Sequence, residues 1–159
     1  MQLIQLQTFI NAPVKIVFDL SRSVDLHKAS MIKHKEEIID GVNAGLMTEG
    51  DTVTWKAKHL FKSRTLKVRI TKLDSPRFFE DEIITGDFKT MRHEHFFEEK
   101  NGGTVMKDNF SFESPFGFIG KLVDLFYLRN YMTRLLSERN NEIKQIAESN
   151  LWKQFLIYE

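Results

Sequence analysis

The chain contains no cysteine. That excludes a disulfide framework, a thiolate metal site and a thiol nucleophile. No uninterrupted apolar run approaches the ~18 residues that a membrane-spanning helix requires. The N-terminus shows no basic stretch followed by an apolar one, so neither a signal peptide nor stable membrane insertion is expected. Charge of one sign is also lacking: 23 Lys and Arg stand against 22 Asp and Glu, for a net +1. No global field therefore draws the chain to nucleic acid or to an anionic membrane. Proline is sparse, at Pro13, Pro76 and Pro115, and no internal repeat, low-complexity tract or linker is visible. The 159 residues read as one cytoplasmic domain, 1–159, with the conformation of 150–159 left open.

What the sequence has in excess is phenylalanine, 14 in 159 residues, a composition that suits the lining of an enclosed hydrophobic pocket. The most informative stretch runs from Gly86 to Glu113, two long alternating segments joined at Lys100-Asn101-Gly102-Gly103. Asn-Gly between such segments marks a hairpin, because both turn residues tolerate positive φ. Met91, His93, His95 and Phe97 share one face of the first strand. Thr104, Met106, Asp108, Phe110 and Phe112 share a face of the second, opposite a solvent face of Val105, Lys107, Asn109 and Ser111. A two-residue loop at Asn101-Gly102 sets His95 against Asp108, whereas a four-residue loop from Glu99 to Gly102 sets His93 there instead. Both registers keep the apolar faces matched, so an inward His–Asp pair is expected either way.

Taken in order, Leu3 to Ile10 alternates as a first strand and stops at Asn11-Ala12-Pro13. Pro13 suits the first position of a short helix carrying Val14, Val17, Phe18 and Leu20. A second short helix is expected from Val24 to Ala29, capped by Ser23 with Asp25 near its N-terminus. Glu36 to Asp40 reads as a short strand. Gly50-Asp51 opens the next, with Val53, Trp55, Ala57 and His59 on one face and Thr52, Thr54, Lys56 and Lys58 toward solvent. After a turn near Leu60-Phe61, Leu66, Val68 and Ile70 alternate with Thr65, Lys67, Arg69 and Thr71. Asp74-Ser75-Pro76 is a turn, and Arg77 to Thr85 a further strand. Ser114-Pro115 ends the sheet, and one long helix is expected from Phe116 to about Ser149, with Arg139 on its inward face and Arg129 at the edge. Its segment from Phe116 to Leu128 is apolar on all sides and suits a gate or a contact surface.

This order resembles the helix-grip fold of the START/Bet v 1-like superfamily (SRPBCC, the polyketide cyclase/dehydrase and lipid-transport group). Thr8-Phe9-Ile10-Asn11-Ala12-Pro13 running into Val17-Phe18, Gly50 to His59, Pro76-Arg77-Phe78-Phe79 and Gly86-Asp87-Phe88 carry the likeness. So do His93-Glu94-His95-Phe96-Phe97, Thr104 to Asp108, Pro115-Phe116-Gly117 and Arg139-Asn140. Together they look like a bacterial subgroup of ligand-binding-like proteins. The resemblance implies an α+β domain, a curved antiparallel sheet of about seven strands wrapped around a long C-terminal helix. It also implies a deep cavity for a hydrophobic small molecule or lipid, but no single activity, since the fold serves carriers, sensors and enzymes.

On these grounds the expected ligand-binding residues are Trp55, His59, Met91, His93, His95, Phe97, Met106, Asp108, Phe110, Phe112 and Arg139, with Phe9 lining the same space. His93, His95 and Asp108 are the candidates for acid–base chemistry in a cyclase- or dehydrase-type alternative. His59, His93, His95 and Asp108 would also suit zinc or iron. Sparse histidines more often serve hydrogen-bond networks, so neither a metal nor another cofactor is expected. Lys56, Lys58, Lys62, Arg64, Lys67 and Arg69 form an outward basic patch without an aromatic platform, which argues against nucleic acid. The partner expected is a hydrophobic small molecule, bound by a monomer or homodimer; a protein-interaction regulator is a further alternative.

Overall fold

The computed structural model describes residues 1–30, 37–59, 62–114 and 127–156; for Lys58, His59 and Lys62 only the strand position is described. Seven strands form one antiparallel sheet: β1 (Gln2–Ile10), β2 (Glu37–Gly41), β3 (Thr52–His59), β4 (Lys62–Asp74), β5 (Phe78–Thr85), β6 (Thr90–Lys100) and β7 (Gly103–Glu113). Their spatial order is β1-β7-β6-β5-β4-β3-β2. The first strand thus closes against the last, and every other neighbour follows in sequence. Helices α1 (Val14–Ser21) and α2 (Val24–Ser30) follow β1, and α3 (Arg129–Ala147) follows the sheet. The α+β helix-grip expectation is met.

Local chemistry accounts for most boundaries. Pro13 is the N-cap of α1 rather than its first residue, since its extended backbone (ψ 141°) lets the helix begin at Val14. The Ser23 hydroxyl accepts from the Leu26 amide at 3.2 Å, as a capping serine does. The part of the expected long helix that falls on residues 116–126 lies outside the described residues, as do the expected turn at Leu60-Phe61 and the expected start of β2 at Glu36. Beyond α3 the chain does not continue as helix. Ser149 caps a 3-10 turn, Asn150–Gln154, and the chain folds back to bury Leu156 in the core.

The β6–β7 register is the one set by a two-residue loop. Lys100 pairs with Gly103 and His95 with Asp108, and Asn101 and Gly102 take φ of 53° and 75°. Met91, His93, His95 and Phe97 are all buried, and so are Thr104, Met106, Asp108, Phe110 and Phe112. Some facial assignments are corrected. Phe9 points outward and is 45% exposed, because Ile4 and Ile10 hold the inward parity of β1. Thr54 and Val105 are buried on the outer face, Thr54 next to the Asp40 of the flanking β2. Arg64 opposes Ala57 in the β3–β4 ladder, which puts it on the concave side, where it pairs with Asp87. It does not belong to the outward basic patch, and the side chains of Lys58 and Lys62 lie outside the described set.

Part of the concave face is filled by α1. Phe18 is wholly buried and meets Phe79 and Phe97 edge-on, at centroid distances of 5.8 and 5.3 Å. Leu135, Leu136, Ile143 and Ala147 of α3 are likewise buried. Close packing also fixes the hairpin's outer corner: a Cβ at Gly103 would meet the Ile10 carbonyl oxygen at 2.6 Å and the Phe9 ring at 2.8 Å. Gly103→Ala is therefore expected to cost ~1–3 kcal/mol of stability through overpacking, measured by urea unfolding. An unchanged midpoint would show that β1 and β7 are less tightly apposed than this.

Candidate functional site

The part of the concave face that α1 does not fill remains open as a cavity of about 600 Å³ between the sheet and α3. Strands β3 and β4 contribute Val53, Trp55, Ala57, Leu66, Val68 and Ile70, and β5 to β7 contribute Phe79, Met91 and Phe110. Helix α3 and the turn before it close the space with Leu128, Met132, Leu135 and Leu136. The alternation of each strand dictates these positions, because residues two apart share a face. Trp55 is braced on the cavity side by His27 of α2, which also lines the space and whose ring centroid lies 4.1 Å away.

One wall of this apolar space is ionisable. Asp81, His93, His95 and Arg139 line it, with Asp108 and Asn140 buried close by. His93 Nε2 lies 3.0 Å from Asp108 Oδ1. Nδ1 of His95 lies 2.9 Å from that same oxygen, off the line a hydrogen bond needs. The other His95 nitrogen, Nε2, lies 3.2 Å from Asp81 Oδ2. Asn140 donates from Nδ2 to the second Asp108 oxygen at 2.6 Å. Arg139 donates from Nη2 to the Ser21 carbonyl oxygen, while its Nη1 stands 3.6 Å from Asp108 Oδ1. The two imidazoles are 3.8 Å apart between centroids. One buried carboxylate thus ties β6, β7 and α3 together.

Electrostatics follow from this packing. Burial alone would raise the Asp108 carboxyl, but contact with His93 and His95 outweighs it and holds the group well below the ordinary carboxylate range. Asp81 is shifted in the same direction: burial opposes ionisation, but the His95 hydrogen bond and the electrostatic pull of the neighbouring His93, His95 and Arg139 outweigh it. Burial pushes the His93 imidazole down to about 4, with His95 adding to the shift and Asp108 and Asp81 opposing it. His93 is therefore a neutral imidazole in the folded protein at pH 7.

Of the residues expected to contact a ligand, Trp55, Met91, His93, His95, Phe110 and Arg139 line the cavity. Phe97, Met106 and Phe112 do not, because other groups already occupy their inner surfaces. Phe97 packs on Phe18, Met106 sulfur meets the Ser21 hydroxyl at 3.5 Å, and Phe112 meets Phe88 at 5.4 Å. Asp108 stands behind the imidazoles rather than at the surface. His59 ends β3, and its side chain lies outside the described set. Sequence reasoning missed Asp81 and the role of Asn140. The alternation Phe79, Asp81, Ile83 carried the signal for Asp81, and the burial of Asn140 follows from its place next to the inward Arg139.

No known family model and no curated protein matches this sequence. Solved structures do match its fold. A START superfamily protein from Mycobacterium smegmatis aligns with a TM-score of 0.68 at 11% identity, covering 91% of this chain and 98% of its own. Ginseng major latex-like protein 151, from Panax ginseng, aligns with a TM-score of 0.67 at 14% identity, covering 93% and 98%. TTHA0849 from Thermus thermophilus gives 0.72 at 16% identity, covering 93% and 100%. The chain has a START/Bet v 1-like fold. Among the described residues no helix is long and apolar enough to cross a membrane.

Two outcomes follow for the ionisable wall. Below its ordinary 6.5 an unfolded His93 takes up a proton, whereas the folded one does so only near 4. The unfolded state thus binds more protons across that window, and stability should fall by up to about 3 kcal/mol as pH drops through it. Below that, protonation of Asp81 and Asp108 removes further stability in the same direction. Urea unfolding from pH 7 to 4 with EDTA present should show the slope, and His93→Gln should flatten it; a flat wild-type profile contradicts the assignment. Separately, Asp108→Ala strips His93, His95 and Asn140 of their shared acceptor and should cost about 3–5 kcal/mol, read from the same urea transitions.

Proposed function

We propose that this protein binds a hydrophobic small molecule or lipid-like ligand in the cavity between the sheet and α3, with the polar head of the ligand at the wall formed by Asp81, His93, His95 and Arg139. The observation that carries this reading is the cavity itself. Its volume, about 600 Å³, falls within the range of ligand pockets, roughly 300–1,000 Å³. A core meant only for stability would be closed, since voids cost about 1 kcal/mol for even a methyl-sized gap. Its lining is mostly apolar, and Asp81, His93, His95 and Arg139 gather at one wall, apart from the Arg64–Asp87 pair that also lines the space; polar groups placed in this way orient a ligand of mixed character. The START and major latex-like names of its structural neighbours fit a binding protein and identify no ligand for this chain. The balanced charge fits a small-molecule partner in the cytoplasm.

A second reading is an enzyme of cyclase or dehydrase type, favoured by the neutral, cavity-facing His93 held against an ionised carboxylate. The substitutions His93→Ala, His95→Ala and Asp108→Ala separate the two. Retained ligand affinity with lost turnover points to the enzyme; altered affinity without turnover points to the carrier.

Titration with the fluorescent apolar probe 1-anilinonaphthalene-8-sulfonate tests binding directly. We expect saturable binding at about one site per chain, accompanied by a change in Trp55 emission. Met132→Trp, which places bulk inside the cavity from the half-buried face of α3, should weaken the probe about tenfold or more with little change in thermal midpoint. Equal affinity in the two proteins would mean that the probe binds elsewhere and would remove support for the cavity as the binding site.

A further inference from the structure

Asp81, His93 and His95 each offer a ligand atom, and these atoms all lie within 4.8 Å of one another. They come from adjacent strands: Asp81 opposes His93 in the β5–β6 ladder, and His95 follows two residues on, on the same face. We infer that Asp81, His93 and His95 form a binding site for a divalent first-row transition metal ion, with Asp108 holding both imidazoles in the ligating orientation. Sequence reading set Asp108 and His59 beside the two histidines and gave no expectation of a metal. Asp81, which it did not place, supplies the carboxylate.

Three observations carry the inference. The first is the donor set, two imidazoles and one carboxylate, which suits zinc, iron, cobalt or manganese and leaves coordination positions open. The second is spacing. His95 Nε2 and Asp81 Oδ2 are 3.2 Å apart, and two donors on one ion at about 2.0–2.1 Å in tetrahedral geometry are separated by about 3.3 Å. An ion can take the place of the proton between them once the imidazole turns toward it, and the His93 donor, within 4.8 Å of both, closes in to complete the set. The third is the support behind the ligands. A ligating imidazole needs a lone pair on one nitrogen and an anchored N–H on the other, and a carboxylate is a common anchor. Asp108 Oδ1 stands 3.0 Å from His93 Nε2 and 2.9 Å from His95 Nδ1. That leaves His93 Nδ1, which has no partner among the described residues, and His95 Nε2 as the ligating atoms. His95 Nδ1 is buried and out of line for a hydrogen bond as the side chains now lie; a small turn of the ring toward an ion aligns it. Asn140 then fixes the far Asp108 oxygen.

Charge is consistent with this. Asp81 and Asp108 bring two negative charges and Arg139 one positive, so a dication offsets the remaining negative charge and leaves a small surplus. All three ligating residues line the cavity. An ion held there has a route of entry, and its open positions are available to water or to an oxygen atom of whatever occupies the space. The metal site stands whether or not an organic ligand is bound.

The test uses full-length protein stripped with chelator and then titrated with Co2+, whose visible absorption reports its ligands. We expect one ion per chain and a ligand-field spectrum with nitrogen and oxygen donors. The spectrum should be lost in Asp81→Asn and His93→Gln and kept in His27→Ala. Asp108→Asn should retain the spectrum and weaken binding about 10–100-fold, as loss of an anchoring partner does. Because the buried variants can fail to fold, wild-type protein supplies an independent measurement. Paramagnetic broadening of its amide resonances by bound Co2+ should centre on residues 81, 93 and 95. Absence of stoichiometric binding, or broadening centred on His27, His34 or His59, overturns the inference.

Discussion

A buried carboxylate is the constraint on which the rest of this structure depends. Asp108 is 1% exposed in the middle of an otherwise apolar sheet face, and an ionised group there is tolerated only if its oxygens are occupied. One oxygen takes His93 with His95 close beside it, and the other takes the Asn140 amide. Those partners sit on β6 and on α3, so satisfying a single charge fixes the helix against the hairpin. Shifting the hairpin by one residue would turn Asp108 out to solvent and bring Lys107 in. The same requirement explains why this wall of the cavity is polar.

Much of this was legible from alternation alone. The period of two in β6 and β7 placed His93, His95, Asp108 and Phe110 inward, and the Asn-Gly turn left two registers, of which the structure has the shorter loop. What parity could not supply was depth. Phe97, Met106 and Phe112 share a face with cavity residues, yet α1 packs over one part of that face and Phe88 over another. Sequence reading knew that α1 existed, but not where it lay. Phe9 shows the limit of apolar character as a guide to facing: Ile10 next to it holds the inward parity, so the ring turns outward. Charge is an equally poor guide at Arg64, a cation that its register with Ala57 puts on the concave side, away from the exposed lysines. Asp81 is a charged residue at an inward position of β5, opposite His93, and composition alone assigns such a residue to solvent.

The START/Bet v 1-like fold supplies the cavity and says nothing of its use. What points to function is the contrast within that cavity, a mainly apolar space bounded at one wall by two imidazoles, two carboxylates and a guanidinium. A carrier needs such a wall to orient a ligand, an enzyme to move a proton, and a metal site to hold its ion. All three uses draw on the same buried network.

The central claim, that the cavity holds a hydrophobic small molecule in the working protein, is tested most directly by native mass spectrometry of the protein purified from its own cells. The account predicts a fraction of the chain carrying one additional small apolar molecule, released on denaturation and identifiable after organic extraction. A spectrum showing only the bare chain, from gently handled protein in which about 600 Å³ of apolar space is shown to be solvent-filled or collapsed, would contradict it.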